Sequence, residues 1–555
     1  MERQTPDTRS NEIDLYIRTY YSLLRSTGEI RVRSLEEPHA YSLSSLHAGA
    51  RSPEPDVAAF GYAAARLPEC MPRIERVILG QSDTTFNAFG YPVGRWTEVR
   101  ARGRRRRLRH DGAGTLAAYI ASTSDIDDLL PIITAYQIEW NKLHERLAPH
   151  AKTPAWDDEA SLQAALGLVP ADLLRLREAL GDDATAALAR VASSRLDLRV
   201  RLLAGSFNEY ERAAQLWWEG VEPVYLSETS GERPPTYFVS SNTHALANLL
   251  GGYALAHRDE LAEIARREIQ CAALPPAAAE SANALYHALR IHLRADERAL
   301  EKVQAWDAAS GIRSIENRAH VDVDAQVIEL RRLCAERFDP RLAMPGLEAL
   351  AASDARIINI DYPLGVAAYH ILSRVGQGVG RLLGVYLMGK AATLNAQVGD
   401  VMISRVVHDE HSHNTYLLNN AFAAEAIASY LRHGTVLDNQ KAVTVRGPFL
   451  QNPNYLGVFY REGYTVLEME AGPYLSALYE CVDPRRHPQN EIVNLADRPS
   501  FECGLLHYAS DTPNSRRQWL LSKSLGFFGM DATYACGIAI TRRILERELI
   551  RLGAR

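Results

Sequence analysis

The sequence predicts an α/β chain: a C-terminal sheet with helices on both faces, preceded by a largely helical region. Three observations carry this. After Asp354, short β-branched and aromatic runs alternate with segments of helical period. Before it, over most of residues 113–345, apolar residues recur at helical spacing. A breaker-rich junction, Asp339-Pro340 and Met344-Pro345-Gly346, separates the two patterns. The expected divisions are a mixed α/β segment over 1–112, a mainly helical domain over 113–345 and an α/β domain over 346–555.

In chain order, a polar tail precedes an amphipathic helix over Asn11–Arg25, with Ile13, Tyr16, Ile17, Tyr20, Tyr21 and Leu24 on its apolar face. Pro53 and Pro55 mark a loop, and Ile74–Gly80 reads as a strand. Arg100–Arg109 is a basic run that suits a solvated strand edge or hairpin tip, kept from pairing by its charge. Phosphate contact and a subunit contact are the other readings of that run. Ser124 with Asp127 signals a helix start, and Pro131 falls near the first turn, where proline is tolerated. Thr153-Pro154-Ala155 is a break. Helical period returns over Leu162–Leu203, Asp259–Cys271, Ala278–Arg298 and Val323–Glu336. A short strand at Thr236–Val239 runs into Ser240-Ser241-Asn242-Thr243-His244, good capping residues for a helix. Beyond the junction, strands are expected at Arg356–Ile360, Leu383–Met388, Val398–Val407, Ala442–Val445, Tyr464–Leu467 and Gly504–Ala509. Helices are expected at Val366–Arg374, Ala421–Arg432, after Pro473 and at Ala535–Leu552. The run Gly376-x-Gly378-x-Gly380 follows a helix rather than a strand, so it reads as a turn and not as a dinucleotide fingerprint.

Composition narrows the function. A 555-residue chain with 46% hydrophobic and 23% charged residues is ordinary for a globular protein of roughly two to four domains. A net charge of −6 gives no general case for nucleic acid or anionic membrane as partner. The six cysteines are scattered, with no Cys-x-x-Cys pair. That argues against a zinc ribbon or a disulfide framework and suits a reducing cytoplasm. The N-terminus has no signal-peptide run, and no stretch reaches the roughly 20 apolar residues of a membrane span. A soluble cytoplasmic protein is expected.

One stretch concentrates chemistry. Tyr464–Leu467 reads as a strand, and Pro473 suits the first turn of a following helix. Glu468 and Glu470 therefore sit where a strand ends and a helix begins. Ligands of open α/β sheets bind at such strand ends, although acidic residues there also suit the helix dipole.

The order of features over about 354–553 resembles the nucleoside phosphorylase and nucleosidase superfamily: purine nucleoside phosphorylases, methylthioadenosine nucleosidases and AMP nucleosidases. Gly389-Lys390-Ala391-Ala392-Thr393-Leu394, followed by Val398-Gly399-Asp400-Val401, is similar to its small-residue turn and Gly-Asp-Val strand. Phe449, about twenty residues before Met469, is similar to its base-packing aromatic. Glu468-Met469-Glu470 is similar to its ribose-binding Glu-Met-Glu, and Ser510-Asp511 to its Ser-Asp, which protonates the purine. The resemblance implies a three-layer, mixed-sheet domain, a nucleoside or nucleotide substrate, no cofactor and a homo-oligomer. It implies Asp511 as proton donor and Glu470 as the sugar anchor that stabilises an oxocarbenium-like transition state. Glu468, Met469, Phe449, Lys390, Thr393, Ser510 and Arg446 become candidate substrate contacts, with Arg516 and Arg517 also near the cleft in sequence.

The chain departs from the pattern at phosphate. Lys390 replaces the usual Ser/Thr, Leu387 an expected arginine, and Ala392-Thr393 the usual Gly-Gly. The first-strand loop is Asp361-Tyr362-Pro363-Leu364-Gly365, not a glycine-rich phosphate loop. These changes favour water over phosphate as acceptor, hence a hydrolytic nucleosidase over a phosphorylase. They leave Lys390 to a phosphate carried on the substrate. His408-Asp409-Glu410-His411-Ser412-His413 lacks the order of a helical zinc motif and reads as a polar substrate-side loop rather than a metal site. The alternatives are a catalytically weak nucleoside-binding or sensing protein, and a main activity residing in residues 1–345.

Overall fold

In the computed structural model the described residues are 11–151, 158–181, 183–203, 205–229, 231–316, 320–496, 499–512 and 526–555. The expected break at Thr153–Ala155, Pro513, and Arg516 and Arg517 lie outside them.

The first of two mixed sheets takes β1 (Ile30–Arg31), β2 (Arg76–Gly80), β3 (Thr97–Ala101), β4 (Arg104–His110), β5 (Thr115–Tyr119) and β6 (Arg199–Leu202). Their order is β1-β6-β2-β5-β4-β3. Val77, Ile78 and Leu79 are buried on both faces of the sheet, which is why β2 reads as a continuous apolar run. The amphipathic helix Asn11–Thr27 buries Tyr16, Ile17, Tyr20 and Leu24 in the same core as the helix Thr123–Leu147. Ser122, not Ser124, caps the latter helix, and Pro131 lies two turns inside it rather than in its first turn.

The second sheet comprises β7 (Thr236–Ser241), β8 (Ile312–Ile315), β9 (Ala325–Glu329), β10 (Arg356–Asp361), β11 (Leu382–Thr393), β12 (Val401–Asp409), β13 (Thr415–Leu417), β14 (Val436–Thr444), β15 (Tyr464–Glu468), β16 (Ile492–Asn494) and β17 (Glu502–Asp511). β7 is parallel to both β10 and β11, and β17 is parallel to β11, so these four strands end on one side. β12, β14, β15, β11 and β17 pair in a closed ring, β17 returning to β12. Alternation along β11 makes a three-layer sandwich. Val385, Leu387 and Ala391 meet the helices Phe207–Tyr225, Ala367–Gly378 and Ala471–Val482. Tyr386 and Met388 meet Ala245–Gly251, Ala282–Ala295 and Gly526–Arg551.

Several expectations are corrected. Val323–Glu336 is not a helix: it holds β9 and short 3-10 turns, because Val323, Ala325 and Val327 alternate onto one buried face and Ile328 is buried on the other. Leu162–Leu203 is helical only to Ser193, after which β6 completes the first sheet. Ala421–Arg432 holds just one helical turn, Glu425–Ala428. The basic run is a β3–β4 hairpin, but β4 lies inside the sheet, and Arg104 and Arg106 are buried against Asp125. Charge therefore did not keep β4 from pairing; buried carboxylates neutralise it. The first sheet runs across residue 112 and the second across residue 345.

Candidate functional site

β15 is buried throughout and delivers Glu468 to the N-terminus of the helix Ala471–Val482. Glu468 Oε2 accepts the backbone N–H groups of Glu470 (2.7 Å) and Ala471 (2.6 Å), and its Oε1 accepts the Thr444 hydroxyl. It thus serves as a helix-end acceptor. Glu470, 5% exposed, has Oε1 3.3 Å from the Gly365 N–H and also bonds the Tyr362 hydroxyl. Burial pushes the Glu468 carboxyl up to about 7 and the Glu470 carboxyl up to about 8, the charge of Glu468 adding to the second shift. The loop after β10 is packed tightly enough to fix this pair. Tyr362 lies over Gly389, where a Cβ would collide with its ring, and a Cβ at Gly365 would strike Ser124.

Strand register brings the second motif to the same end of the sheet. Ala392 pairs with Leu467 of β15 on one side and with Asp511 of β17 on the other. At about 4.8 Å per strand, Leu467 and Asp511 are roughly 10 Å apart across β11. A register shift in β17 opposite Ala391 and Ala392 re-aims Asp511, a bulge of the kind found beside functional sites. Asp511 is half-buried and accepts the Ser510 hydroxyl at 2.8 Å. Met469 is half-buried between the two glutamates. Thr393 is buried and its hydroxyl accepts the Ala396 N–H at 3.0 Å, a turn-closing role.

Two candidates point elsewhere. Arg446 donates to Asp127 Oδ2 at 2.9 and 3.1 Å, and Asp127 also accepts Tyr20 and Tyr21. Phe449 is 1% exposed and packs among His39, His47 and Tyr62 in the core of the first sheet. Both side chains join the two halves of the molecule rather than lining open space. The loop after β12 is held by Asp409, which accepts His411 (2.9 Å) and Ser412 (2.5 Å). Burial opposes the Asp409 charge, but those bonds hold its carboxyl below the usual range. No group of three metal-ligating side chains occurs among the described residues.

The cluster also has a cationic side, of which the sequence singled out Lys390 but not Arg105. Arg105 Nη1 donates to Asp361 Oδ1 at 2.6 Å, yet its side chain stays 65% exposed. Lys390 is likewise exposed. Desolvation by surrounding protein, then the charge of Arg105, lowers the Lys390 ammonium. Tyr362 and His507 were also missed. His507 lies beneath Glu468, Nε2 to Oε2 3.9 Å, fully buried and held neutral by burial. Lone residues in a strand or loop carry no local signal; Arg105 was at least visible in the basic run. A separate pocket of about 290 Å³, lined by Leu418, Leu475, Phe501, Cys503 and Arg547, lies at the other end of β17.

No curated protein matches the chain in sequence. A model of a family of unknown function, DUF6909, matches residues 32–546. Among solved structures, a 5'-methylthioadenosine/S-adenosylhomocysteine nucleosidase from Neisseria meningitidis, in complex with methylthio-immucillin-A, aligns at 11% identity and a TM-score of 0.30. That alignment covers 56% of this chain and 99% of the other.

Proposed function

The chain belongs to the family of unknown function DUF6909, and we propose that it is an N-glycosidase, releasing the base of a purine nucleoside or nucleotide. The observation that carries this reading is the register at Ala392, which sets the Glu468-Met469-Glu470 turn and Asp511 on either side of one strand end. A span of roughly 10 Å suits a nucleoside, with the sugar at Glu470 and the base at Asp511.

The chemistry follows from the two carboxyl groups. The C1′–N bond breaks, the bonding electrons leave with the base, and Asp511 supplies the proton that neutralises it. Positive charge grows on the sugar ring. Burial pushes the Glu470 carboxyl up to about 8, so it is protonated at neutral pH. Sugar hydroxyl donors and a developing cation favour its ionised form, its proton passing to solvent as the substrate binds, so a carboxylate faces the cation as the transition state forms. Water then adds to C1′ and gives its proton to the Asp511 carboxylate, restoring the acid, so hydrolysis balances as nucleoside plus water giving free sugar and base. Water is favoured over phosphate because the loop after β10 has spent its donors: the Gly365 N–H on Glu470 and the Val366 N–H on Ser124.

The test is a panel of purine nucleosides and their 5′-phosphates, read by chromatography for free base with and without inorganic phosphate. Base release without phosphate is expected, and Asp511→Asn should lower it about 10²–10⁴-fold. Release that requires phosphate would overturn the hydrolytic assignment. A second reading, a nucleoside-binding protein without turnover, draws on one observation: the expected base-stacking ring, Phe449, is enclosed in a core. Tight nucleoside binding with no base release, unaffected by Asp511→Asn, would favour it.

A further inference from the structure

The pocket at the start of β17 is built apart from the candidate cleft. It encloses about 290 Å³. Along the strand it lies roughly 25 Å from Asp511. Leu475 and Leu478 of the helix Ala471–Val482 line it, as do Leu418 and Leu495, which follow β13 and β16. All four leucines are buried members of one core cluster. Ser500 also lines the pocket and is exposed, which marks the side open to solvent. A space this large is no packing defect, since folded cores rarely hold voids bigger than a water molecule. Leucines facing it forfeit dispersion contacts that an apolar body would restore.

One end of the pocket is charged. Glu502 lines it at the start of β17, and Arg547 lines it from the helix Gly526–Arg551. Arg543, one turn earlier on that helix, already holds Glu502 through both carboxylate oxygens, at 2.6 and 2.7 Å. The Tyr386 hydroxyl donates to the same carboxylate at 3.3 Å. Arg547 adds a second cation to it, Nη1 to Oε2 at 2.6 Å. Its Nη2 reaches only the Leu383 carbonyl, at 3.4 Å, and its Nε is buried without a bond. Glu546, the neighbouring acid on the helix, faces Arg542 at 3.8 Å and Arg555 at 3.4 Å. Two guanidinium groups therefore share one carboxylate at the pocket, and Arg547 keeps donors to spare.

We propose that this pocket binds a small organic acid, its hydrocarbon body against the four leucines and its carboxylate on Arg547. A guanidinium suits a carboxylate because its forked N–H donors meet two oxygens at once. An amine would add to the positive charge already there. A neutral molecule of the same shape would gain the apolar contacts alone. The proposal is independent of the N-glycosidase reading, because the pocket contains neither Glu470 nor Asp511.

The experiment is calorimetric titration of the full chain with octanoate, 1-octanol and octylamine, which share one hydrocarbon body and differ in the head group. Octanoate should bind about tenfold or more tightly than octanol, the scale of one charge-assisted contact, and octylamine should bind more weakly than either. Arg547→Gln should bring octanoate to within about threefold of octanol, while Arg547→Lys keeps most of the advantage. Ser500→Trp changes an exposed residue, so it leaves the core intact while filling the mouth, and it should abolish binding of both. Undetectable octanoate binding would overturn the proposal. So would octanol or octylamine binding as tightly as octanoate. An octanoate advantage that survives Arg547→Gln, or binding untouched by Ser500→Trp, would place the acid elsewhere and overturn it as well.

Discussion

The two sides of the candidate cleft are built in opposite ways. The carboxyl side is local: Glu468, Met469 and Glu470 are consecutive, and burial lifts both acids because they share one small volume. The cationic side draws on distant parts of the chain: Arg105 comes from β4 of the first sheet and Lys390 from β11 of the second. One side stores protons and the other presents positive charge, that of Arg105 shared with Asp361. A cleft with a paired-acid wall and a cationic wall can obtain the first from a single turn. It obtains the second only by packing separate elements together.

Three measurements bear on that contrast, apart from the assays above. The largest effect is expected where the halves meet. Phe449→Ala should cost about 3–5 kcal/mol of stability, because it empties a buried aromatic site among His39, His47 and Tyr62. A change confined to nucleoside affinity, with no fall in Tm, would return Phe449 to base stacking.

A smaller effect is expected on the carboxyl side. Glu470 goes from an ordinary value of 4.5 to about 8 in the folded chain. Between those values the folded state holds a proton that the unfolded state has lost. The Glu470 contribution to stability is therefore fully present below pH 4.5 and is lost as pH rises through the window toward 8. Glu470→Gln should flatten that slope and raise the stability of the ligand-free protein at pH 8 by on the order of 2 kcal/mol. Denaturant melts at pH 5 and pH 8 check it; an unchanged slope would show that the carboxyl is not held protonated.

The smallest belongs to the cationic side. Lys390→Gln should leave stability unchanged or raise it by about 0.5 kcal/mol, since it relieves repulsion and breaks no bond among the described residues. A clear loss of stability would mean that Lys390 is structural.

The same contrast explains what could be read in the sequence. The alternating C-terminal strands were legible because each is a compact apolar run bounded by turn residues, as at Arg356–Ile360 and Tyr464–Leu467. Glu470 and Asp511 could be singled out as candidates because each belongs to a short motif. β6 and β9 were not, since four or five residues beside Arg-rich or Ala-rich helices leave too little period to detect. Arg105 was visible only as one charge among many. Its role depends on Asp361, 256 residues away in the chain, which no local pattern encodes.

β7 has a practical consequence. It contributes all six of its residues to pairing with β10 on one flank and also pairs with β11 on the other. A fragment starting near residue 350 would lack it, leaving two facing rows of N–H and C=O groups bare in the middle of the layer. At about 1–3 kcal/mol for each group left unmet, such a piece would not stand alone. Dissection by truncation is closed off, and the work of each half has to be separated by point substitution in the intact polypeptide.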